Sequence, residues 1–456
     1  MSKKQGKMDH WMLGIAVLLT SLAKPGESVS DYYGLPPGPY CARLYPEGRC
    51  CAGRQDDCSV PVLSTRCYCD DFCVRTSEDD CCPDFWSHCM GMKPNVTESP
   101  PSTFRRCYYN GKMYDHGQTL RVNCNTCKCT SVGERAEVLC EKKRCLMDPQ
   151  LVESVNMESS RLGWRSTNYS EFWGRTLDEG LELRLGTLNP SRSVRNMNPI
   201  HPNYDPNALP REFDARMRWP RDISSVHDQG WCGASWAIST ADVASDRYAI
   251  MSKGVEDVDL SAQHLLSCNS RGQQGCSGGY LDKAWHFVRR FGLVDEDCYP
   301  WIGRKETCRI SRRANLREAG CRKQPNPLRK ELYKVSPAYR MGNETDIMQE
   351  ILTSGPVQAT MRVHQDFFVY ESGIYKHSRV EQSHDPGFHS VRIIGWGEER
   401  THHGLPKKYW LVANSWGRQW GEDGLFRIER GTNECDIETY VIAVWTKTIK
   451  PPRRRR

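Results

Sequence analysis

Cysteine is distributed unevenly along this 456-residue chain, and the distribution limits what each end can fold into. Of the 23 cysteines, sixteen lie between Cys41 and Cys145, and seven are spread over the rest of the sequence. Such a density is typical of oxidised extracellular modules and is hard to reconcile with a reducing cytosol. Segments this short bury little apolar surface, so disulfides must stabilise them by restricting the unfolded chain. We therefore predict small disulfide-rich modules followed by a larger domain.

The N-terminus has the pattern of a secretory signal. Lys3, Lys4 and Lys7 precede a mostly apolar stretch, residues 11–22, and small residues follow as cleavage points. A membrane anchor is the alternative, but this run is shorter than the roughly 20 residues that a span requires, and no later segment reaches that length. We predict a signal peptide over 1–28, no transmembrane segment, and secretion to the extracellular space or matrix. Three Asn-X-Ser/Thr tripeptides are then candidate glycosylation sites: Asn95, Asn168 and Asn343.

Positive charge is concentrated in two places. The formal net charge is +7, and the segments 304–330 and 453–456 are rich in lysine and arginine. They are either a solvated loop and a frayed tail or a surface for acidic partners such as sulfated glycans. A secretory signal argues against nucleic acid as the partner.

Composition divides the chain into successive segments. A first cysteine cluster covers 37–90 and a second covers 107–145, with a Pro/Ser/Thr-containing linker between them. Beyond Cys145 the cysteines thin out, and five prolines mark a second extended connection over 189–212. We predict modules at 37–90 and 107–145, a further segment and linker at 151–208, a large domain at 209–450 and a basic tail at 451–456.

Each cysteine cluster resembles a known module. The run Cys67-Tyr-Cys69, Cys73, Cys81-Cys82 and Cys89 resembles the somatomedin B module, although ten cysteines stand where that family generally has eight. In the second cluster, Cys124-Asn-Thr-Cys127-Lys-Cys129 resembles part of a von Willebrand factor C module. Zinc is the alternative for the Cys-X2-Cys spacing, but an even cysteine count in an oxidising compartment favours disulfides. We expect neither a metal nor a cofactor.

The segment 229–236 reads Gln-Gly-Trp-Cys-Gly-Ala-Ser-Trp, and its most informative residue is Ser235. Papain-type proteases carry their nucleophile in Cys-Gly-Ser/Ala-Cys-Trp, and Ser235 stands in place of the second cysteine. Apolar positions spaced 4-3-4-3 from Ala237 predict one small apolar helix face, with Gly254 as the end of the helix. From Leu209 onwards the chain resembles cathepsin B. The resemblance implies an α+β fold with two lobes, one helical and one a β-barrel, preceded by the disulfide-rich modules.

The remaining site residues follow from the same resemblance. Gln229 matches the side chain that donates to the oxyanion, His389 the catalytic base, and Asn414 the residue that orients the imidazole. Trp416 matches the tryptophan that shields this pair. Gly278 and Gly279 match the wall on which a substrate backbone pairs as an added strand. The resemblance also pairs Cys232 with Cys276 and leaves Cys435 as a free thiol, whereas the connectivity of the other four cysteines stays open.

The replacement of cysteine by serine removes the chemistry of the family. In active members a cysteine of low pKa and a histidine rest as a thiolate–imidazolium pair. A serine hydroxyl is too weak an acid for that state and could attack only through general-base catalysis by His389. The shorter C–O bond also withdraws the attacking atom. We predict no meaningful peptidase activity at Ser235, with a slow serine peptidase as the alternative.

Two further departures from cathepsin B affect specificity. The segment 300–330, which corresponds to the occluding loop, contains no histidine to bind a substrate carboxylate. Tyr440 stands where cathepsin B has the acidic residue of its S2 pocket. Residues 151–188 resemble a propeptide, which in an inactive protein could remain as a permanent structural segment.

The whole order of segments closely resembles the tubulointerstitial nephritis antigen family. That resemblance implies a secreted, non-catalytic basement-membrane glycoprotein that takes part in cell adhesion. It implies binding to laminin, type IV collagen and integrins. Alternatives are a cleft that captures peptides as a decoy, and a scavenger of polyanions through the basic segments.

Overall fold

The computed structural model describes residues 38–44, 48–53, 55–62, 65–74, 80–91, 106–132, 135–321, 326–380, 384–400 and 404–449. The predicted signal peptide, Asn95 and the basic tail lie outside these residues. The chain forms two compact units, one of Met1–Pro61 with Arg66–Thr97 and one of Val62–Thr65 with Glu98–Arg456. Within the described residues, no helix has the length and apolar character needed to cross a membrane.

Disulfides provide most of the order in the first cysteine cluster. Its described residues contain a hairpin of strands β1 (Ser59–Val62) and β2 (Thr65–Tyr68), a short α-helix, α1 (Phe85–His88), and two single-turn 3-10 helices. Phe85 is buried together with eight of the ten half-cystines, whereas Cys50 is exposed and Cys89 is partly buried. The five bridges are Cys41–Cys69, Cys50–Cys89, Cys51–Cys58, Cys67–Cys82 and Cys73–Cys81.

The second cluster is a small β module packed on the chain that follows it. Its strands are β3 (Cys107–Tyr109), β4 (Lys112–Tyr114), β5 (Thr119–Val122), β6 (Asn125–Val132) and β7 (Arg135–Cys140). Its bridges are Cys107–Cys129, Cys124–Cys145 and Cys127–Cys140, so none of its six cysteines is available as a zinc ligand. The Asn123 amide donates to the carbonyl of Met147 at 2.7 Å and accepts from the N–H of Gly174 at 2.9 Å. These bonds fix the module to the propeptide-like region.

The helices of the second unit follow in two groups, one before and one within the large domain. The first group is α2 (Pro149–Met157), α3 (Ser159–Leu162), α4 (Leu177–Leu183) and α5 (Arg192–Arg195). The second is α6 (Ala215–Arg218), α7 (Ser235–Ser252), α8 (Ala262–Cys268), α9 (Leu281–Arg290), α10 (Glu344–Ser354) and α11 (Gln365–Phe368).

A ten-stranded sheet forms one of the two lobes of the second unit. Its strands are β8 (Trp164–Ser166), β9 (Pro199–Ile200), β10 (Phe213–Asp214), β11 (Tyr339–Met341), β12 (Val357–Val363), β13 (Tyr370–Tyr375), β14 (Gly387–Arg400), β15 (Pro406–Ala413), β16 (Leu425–Glu429) and β17 (Val441–Ala443). The order is β8-β13-β16-β15-β14-β12-β17-β11-β9, and β10 pairs with β14. Because β8 and β9 come from the region before Leu209, that region supplies both edges of the sheet path.

The central helix α7 differs from its predicted pattern. Its end at Ser252, just before Gly254, and the burial of the apolar face from Ala237 to Tyr248 are as predicted, but the burial extends beyond that face. The helix is buried on all sides from Ser235 to Ala249, because its charged residues are also paired inside the protein. Asp246 accepts from Arg392 at 2.7 Å, and Arg247 donates to Glu350 at 2.9 Å.

Two apolar cores confirm the predicted two-lobed α+β fold. One core lies around helices α7, α8 and α9, and the other lies in the sheet lobe. The propeptide-like region contributes directly to the sheet-lobe core through fully or almost fully buried side chains: Leu151, Val155, Leu162, Trp164, Phe172, Leu177 and Leu185. Since apolar burial is the main stabilising term in folding, this region is part of the folded core.

Candidate functional site

Ser235 is buried at the first position of α7, and its hydroxyl is held by two neighbouring groups. Its Oγ lies 2.9 Å from the hydroxyl of Thr187 and accepts from the backbone N–H of Ser390 at 3.3 Å. The N-terminus of a helix stabilises a negative charge, such as the charge of a thiolate. A serine hydroxyl remains neutral, so at this position it gains hydrogen bonds but no stabilisation of a charge.

His389 and Asn414 form the expected pair, one on β14 and one directly after β15. The Nε2 atom of His389 lies 2.7 Å from Oδ1 of Asn414, and the ring of Trp416 lies 5.3 Å from the imidazole between centroids. The other imidazole nitrogen, Nδ1, is buried and has no hydrogen-bond partner among the described residues. Asn414 therefore holds the imidazole, but in the described structure the imidazole does not share a hydrogen bond with Ser235.

The environment of His389 disfavours its charged form. Burial lowers the pKa of His389 to about 4, and the positive charge of Arg184 acts in the same direction. The hydrogen bond with Asn414 opposes these effects without overcoming them. At neutral pH the imidazole is neutral, which is the opposite of the imidazolium state that a resting cysteine protease requires.

We expect His389 to titrate near pH 4 in the folded protein, well below the value of about 6.5 for an unfolded chain. Between these values the unfolded state binds the additional proton, so this residue's contribution to stability is present above pH 6.5 and is lost as the pH falls toward 4. Heteronuclear NMR of the imidazole in folded and in urea-unfolded protein measures both midpoints. A folded-state midpoint above pH 6 would contradict the prediction.

Gln229 and the helix N-terminus bind a carbonyl of the same chain. The carbonyl of Leu185 accepts from the N–H of Ser235 at 3.2 Å and from the side-chain amide of Gln229 at 3.0 Å. Ser415 fixes that amide by donating to Gln229 Oε1 at 2.7 Å. The two donors that would stabilise an oxyanion are therefore engaged by Leu185.

Residues 185–188, which we call the cleft segment, cover the site as an added strand. The N–H of Gly279 donates to the carbonyl of Gly186 at 3.0 Å, and Leu188 donates back to Gly279 at 2.9 Å. On the opposite wall, Thr187 donates to the carbonyl of Phe388 at 3.1 Å. Gly278 lies against Leu188, and a disulfide joins Cys232 to Cys276 beside it. The residues predicted to bind a peptide thus bind the protein's own chain.

Arg184, directly before the cleft segment, is a buried cation that the sequence analysis missed. Its guanidinium is 2% exposed and contacts the carboxylates of Glu171 at 3.3 Å and Asp228 at 3.1 Å. It also lies over the rings of Trp231 and Trp416, at 5.5 and 5.9 Å from their centroids. The indole N–H of Trp416 donates to the Arg184 carbonyl at 2.6 Å. Trp416 therefore contacts both His389 and Arg184.

A local signal for this arrangement is present in the sequence. Thr176 and Glu179 form a capping box at the start of α4, each side chain bonding the other residue's backbone N–H. The helix that begins there ends at Leu183, directly before Arg184 and the cleft segment. The capping box thus indicates where α4 begins, but it carries no information about where the helix ends or where the cleft segment goes.

The structure places several predicted residues away from the site. Tyr440 is 2% exposed and packs in the core of the helical lobe, where burial raises the pKa of its hydroxyl. Cys435 is the free thiol, and burial raises its pKa well above the usual range. The four cysteines with open connectivity form Cys268–Cys308 and Cys298–Cys321. Asn168 and Asn343 are exposed, and Asn343 caps α10.

Comparisons with known proteins agree with this fold. The description "Papain family cysteine protease" matches residues 209–445. The chain is 46% identical to tubulointerstitial nephritis antigen-like from Mus musculus, over 90% of this chain and 88% of that protein. It is 40% identical to tubulointerstitial nephritis antigen from Homo sapiens, over 90% and 87%. Procathepsin B S9 from Trypanosoma congolense superposes with a TM-score of 0.55 at 29% identity, over 66% of this chain and 99% of that structure.

Proposed function

Because the chain belongs to the tubulointerstitial nephritis antigen family and carries a papain-family domain, we propose that it is a secreted glycoprotein of the extracellular matrix without catalytic activity. Its role is to bind matrix components and cell-surface receptors. Laminin, type IV collagen and integrins are the partners that the family resemblance suggests. The papain-like fold serves as the scaffold, and the function lies in its binding surfaces.

One observation carries the proposal of inactivity. The hydroxyl of Ser235 is bonded to Thr187, while Nδ1 of His389 has no partner in the described structure. A serine nucleophile needs a base within hydrogen-bond reach, and this pair lacks that bond. The carbonyl of Leu185 also engages the oxyanion donors. A substrate would have to displace the cleft segment before it reached either group.

Disulfides and exposed acceptor sites support an extracellular location. Eleven disulfides join 22 of the 23 cysteines, which is typical of secreted proteins. Asn168 and Asn343 are accessible for glycosylation. The capping bond of Asn343 uses its side-chain oxygen, so a glycan on the nitrogen is compatible with the cap.

Part of the basic segment 304–330 is available for a sulfated glycan. Arg329 pairs with buried Glu256 and therefore acts within the protein, whereas Arg309 is 65% exposed and pairs with Glu306 at 2.7 Å on the surface. Lys305 and Arg312 instead line an open depression of about 720 Å³. They are the residues of this segment through which we propose glycan binding, together with the arginines of the tail.

Hydrolysis of a broad fluorogenic peptide panel tests the proposal. We expect no turnover by the full-length wild type, and none by Ser235→Cys, because the cleft segment still covers the site in that variant. Ser235→Ala is the matched control. Turnover by the wild type that Ser235→Ala abolishes would overturn the proposal and establish a serine peptidase. Saturable binding of these peptides without cleavage would instead favour the decoy alternative.

A further inference from the structure

A second concave site lies at the junction of the 107–145 module, helix α2 and the sheet lobe, away from Ser235. It is a crevice of about 540 Å³ and is lined on one side by three consecutive cationic residues, Lys142, Lys143 and Arg144. Val380 lines the opposite wall from the sheet lobe. Its volume falls within the range of roughly 300–1,000 Å³ that small-molecule sites occupy.

Positive charge in the crevice exceeds the acidic charge that could neutralise it. Lys142 is exposed, and no ion pair is found for it in the described part of the chain. Lys143 lies 3.1 Å from Glu141, but both side chains are about half exposed, so water weakens that pair. Asp148, the acidic residue of the lining, caps α2 by accepting from the N–H of Gln150 at 2.9 Å. An anionic group entering the crevice therefore meets a net positive field.

The remaining lining is suited to hydroxyl groups. The amides of Asn123 and Gln150 and the hydroxyl of Ser154 border the crevice, and buried Met147 and Leu151 form an apolar base. Amides and hydroxyls both donate and accept hydrogen bonds, as a sugar ring requires. An apolar base can pack against the less polar face of such a ring.

The cationic wall is fixed in position by contacts with the sheet lobe. Arg144 Nε donates to Gln365 Oε1 at 2.7 Å, and the Gln365 amide donates to the carbonyls of Cys145 at 2.8 Å and Leu146 at 3.3 Å. The disulfide Cys124–Cys145 restrains the same stretch from the module side. A preorganised wall loses little entropy when a ligand binds.

From these contacts we propose that the crevice binds a sulfated saccharide. Lys142 and Lys143 contact the sulfate groups, and the amide and hydroxyl lining contacts the sugar. The site uses side chains from the module, from α2 and from the sheet lobe, so it exists only while the propeptide-like region stays in place. It is separate from the 304–330 surface and does not depend on the inactivity of Ser235.

Calorimetric titration of the full chain with a heparin-derived tetrasaccharide at 0.15 M NaCl tests this site. We expect saturable binding that weakens by at least about tenfold in Lys142→Gln/Lys143→Gln. Lys128→Gln is the matched control, because Lys128 is an exposed lysine of the same module outside the crevice, and it should bind as the wild type does. Inorganic sulfate as a second titrant separates recognition of the saccharide from recognition of the anion alone.

Other outcomes identify a different site. If Lys305→Gln/Arg312→Gln weakens tetrasaccharide binding and the Lys142/Lys143 variant does not, the crevice proposal is wrong and the 304–330 surface is the glycan site. The crevice proposal is also wrong if Ser154→Trp, which places a large ring in the crevice, leaves tetrasaccharide binding unchanged. Inorganic sulfate binding as tightly as the tetrasaccharide would overturn the saccharide assignment. Thermal unfolding of each variant verifies that it is folded.

Discussion

Replacement of Arg184 by alanine is expected to lower the free energy of unfolding by about 3 kcal/mol, a large effect for one side chain. The substitution leaves the carboxylates of Glu171 and Asp228 without their shared cation. It also opens a space between the rings of Trp231 and Trp416. Both carboxylates are partly exposed and can regain water, which keeps the expected loss at the lower end for a broken buried pair.

Chemical denaturation monitored by tryptophan fluorescence measures this loss. Arg161→Ala is the matched control, since Arg161 pairs with Glu158 on the surface of the same region and is 66% exposed. Exposed pairs contribute about 0–1 kcal/mol, so the control should change stability little. Equal effects of the two substitutions would show that the buried position of Arg184 has no special importance.

The second large effect is expected at Gly186, where any side chain collides with the opposite wall of the cleft. Gly186 has a φ of +111°, and a Cβ atom there would lie 2.0 Å from the carbonyl carbon of Gly233. Alanine must therefore displace the cleft segment. In a Ser235→Cys/Cys435→Ser background, which leaves one free thiol, we expect Gly186→Ala to accelerate alkylation of that thiol by about 100-fold. That factor corresponds to roughly 3 kcal/mol of easier opening.

The rate of iodoacetamide labelling under native conditions measures the opening. Gly117→Ala is the control, because Gly117 also has a positive φ, +89°, but has no atom within 4 Å of the added Cβ. That variant carries only the cost of the left-handed conformation, about 1–2 kcal/mol. If labelling in the Gly186 variant is as slow as in its parent, the cleft segment does not guard the site.

The papain-like fold and the His389–Asn414 pair could be predicted because short sequence motifs carry them. Each motif places its residues on one strand or at one helix end, so that local spacing is sufficient. The burial of the charged residues of α7 could not be predicted in this way. Asp246 and Arg247 suggest a solvent-facing side, yet their partners Arg392 and Glu350 are distant in sequence. Pairing across such distances leaves no periodic signal.

The path of the cleft segment could not be predicted from the sequence for a related reason. Thr187, Ser235 and Phe388 meet at one point, although they lie in three separate parts of the chain. The resemblance of 151–188 to a propeptide suggested a permanent structural segment but did not identify Leu185 as the residue on the oxyanion donors. Arg184 was missed because isolated arginines are normally solvated, and its partners become visible only in the folded protein.

The positions of the disulfides give the connection over 189–212 a particular importance. Every bridge lies wholly before or wholly after it, since the N-terminal bridges end at Cys145 and those of the large domain begin at Cys232. A single backbone cut there would turn one chain into two that are joined by no disulfide and are held by noncovalent contacts: the pairing of β8 with β13, the buried side chains of 151–185, and the bonds of Arg184 and the cleft segment. The halves would migrate together under native conditions and separate in detergent without any reductant. After separation, their reunion would be bimolecular, so a nicked molecule that unfolded in dilute solution would not recover its original form.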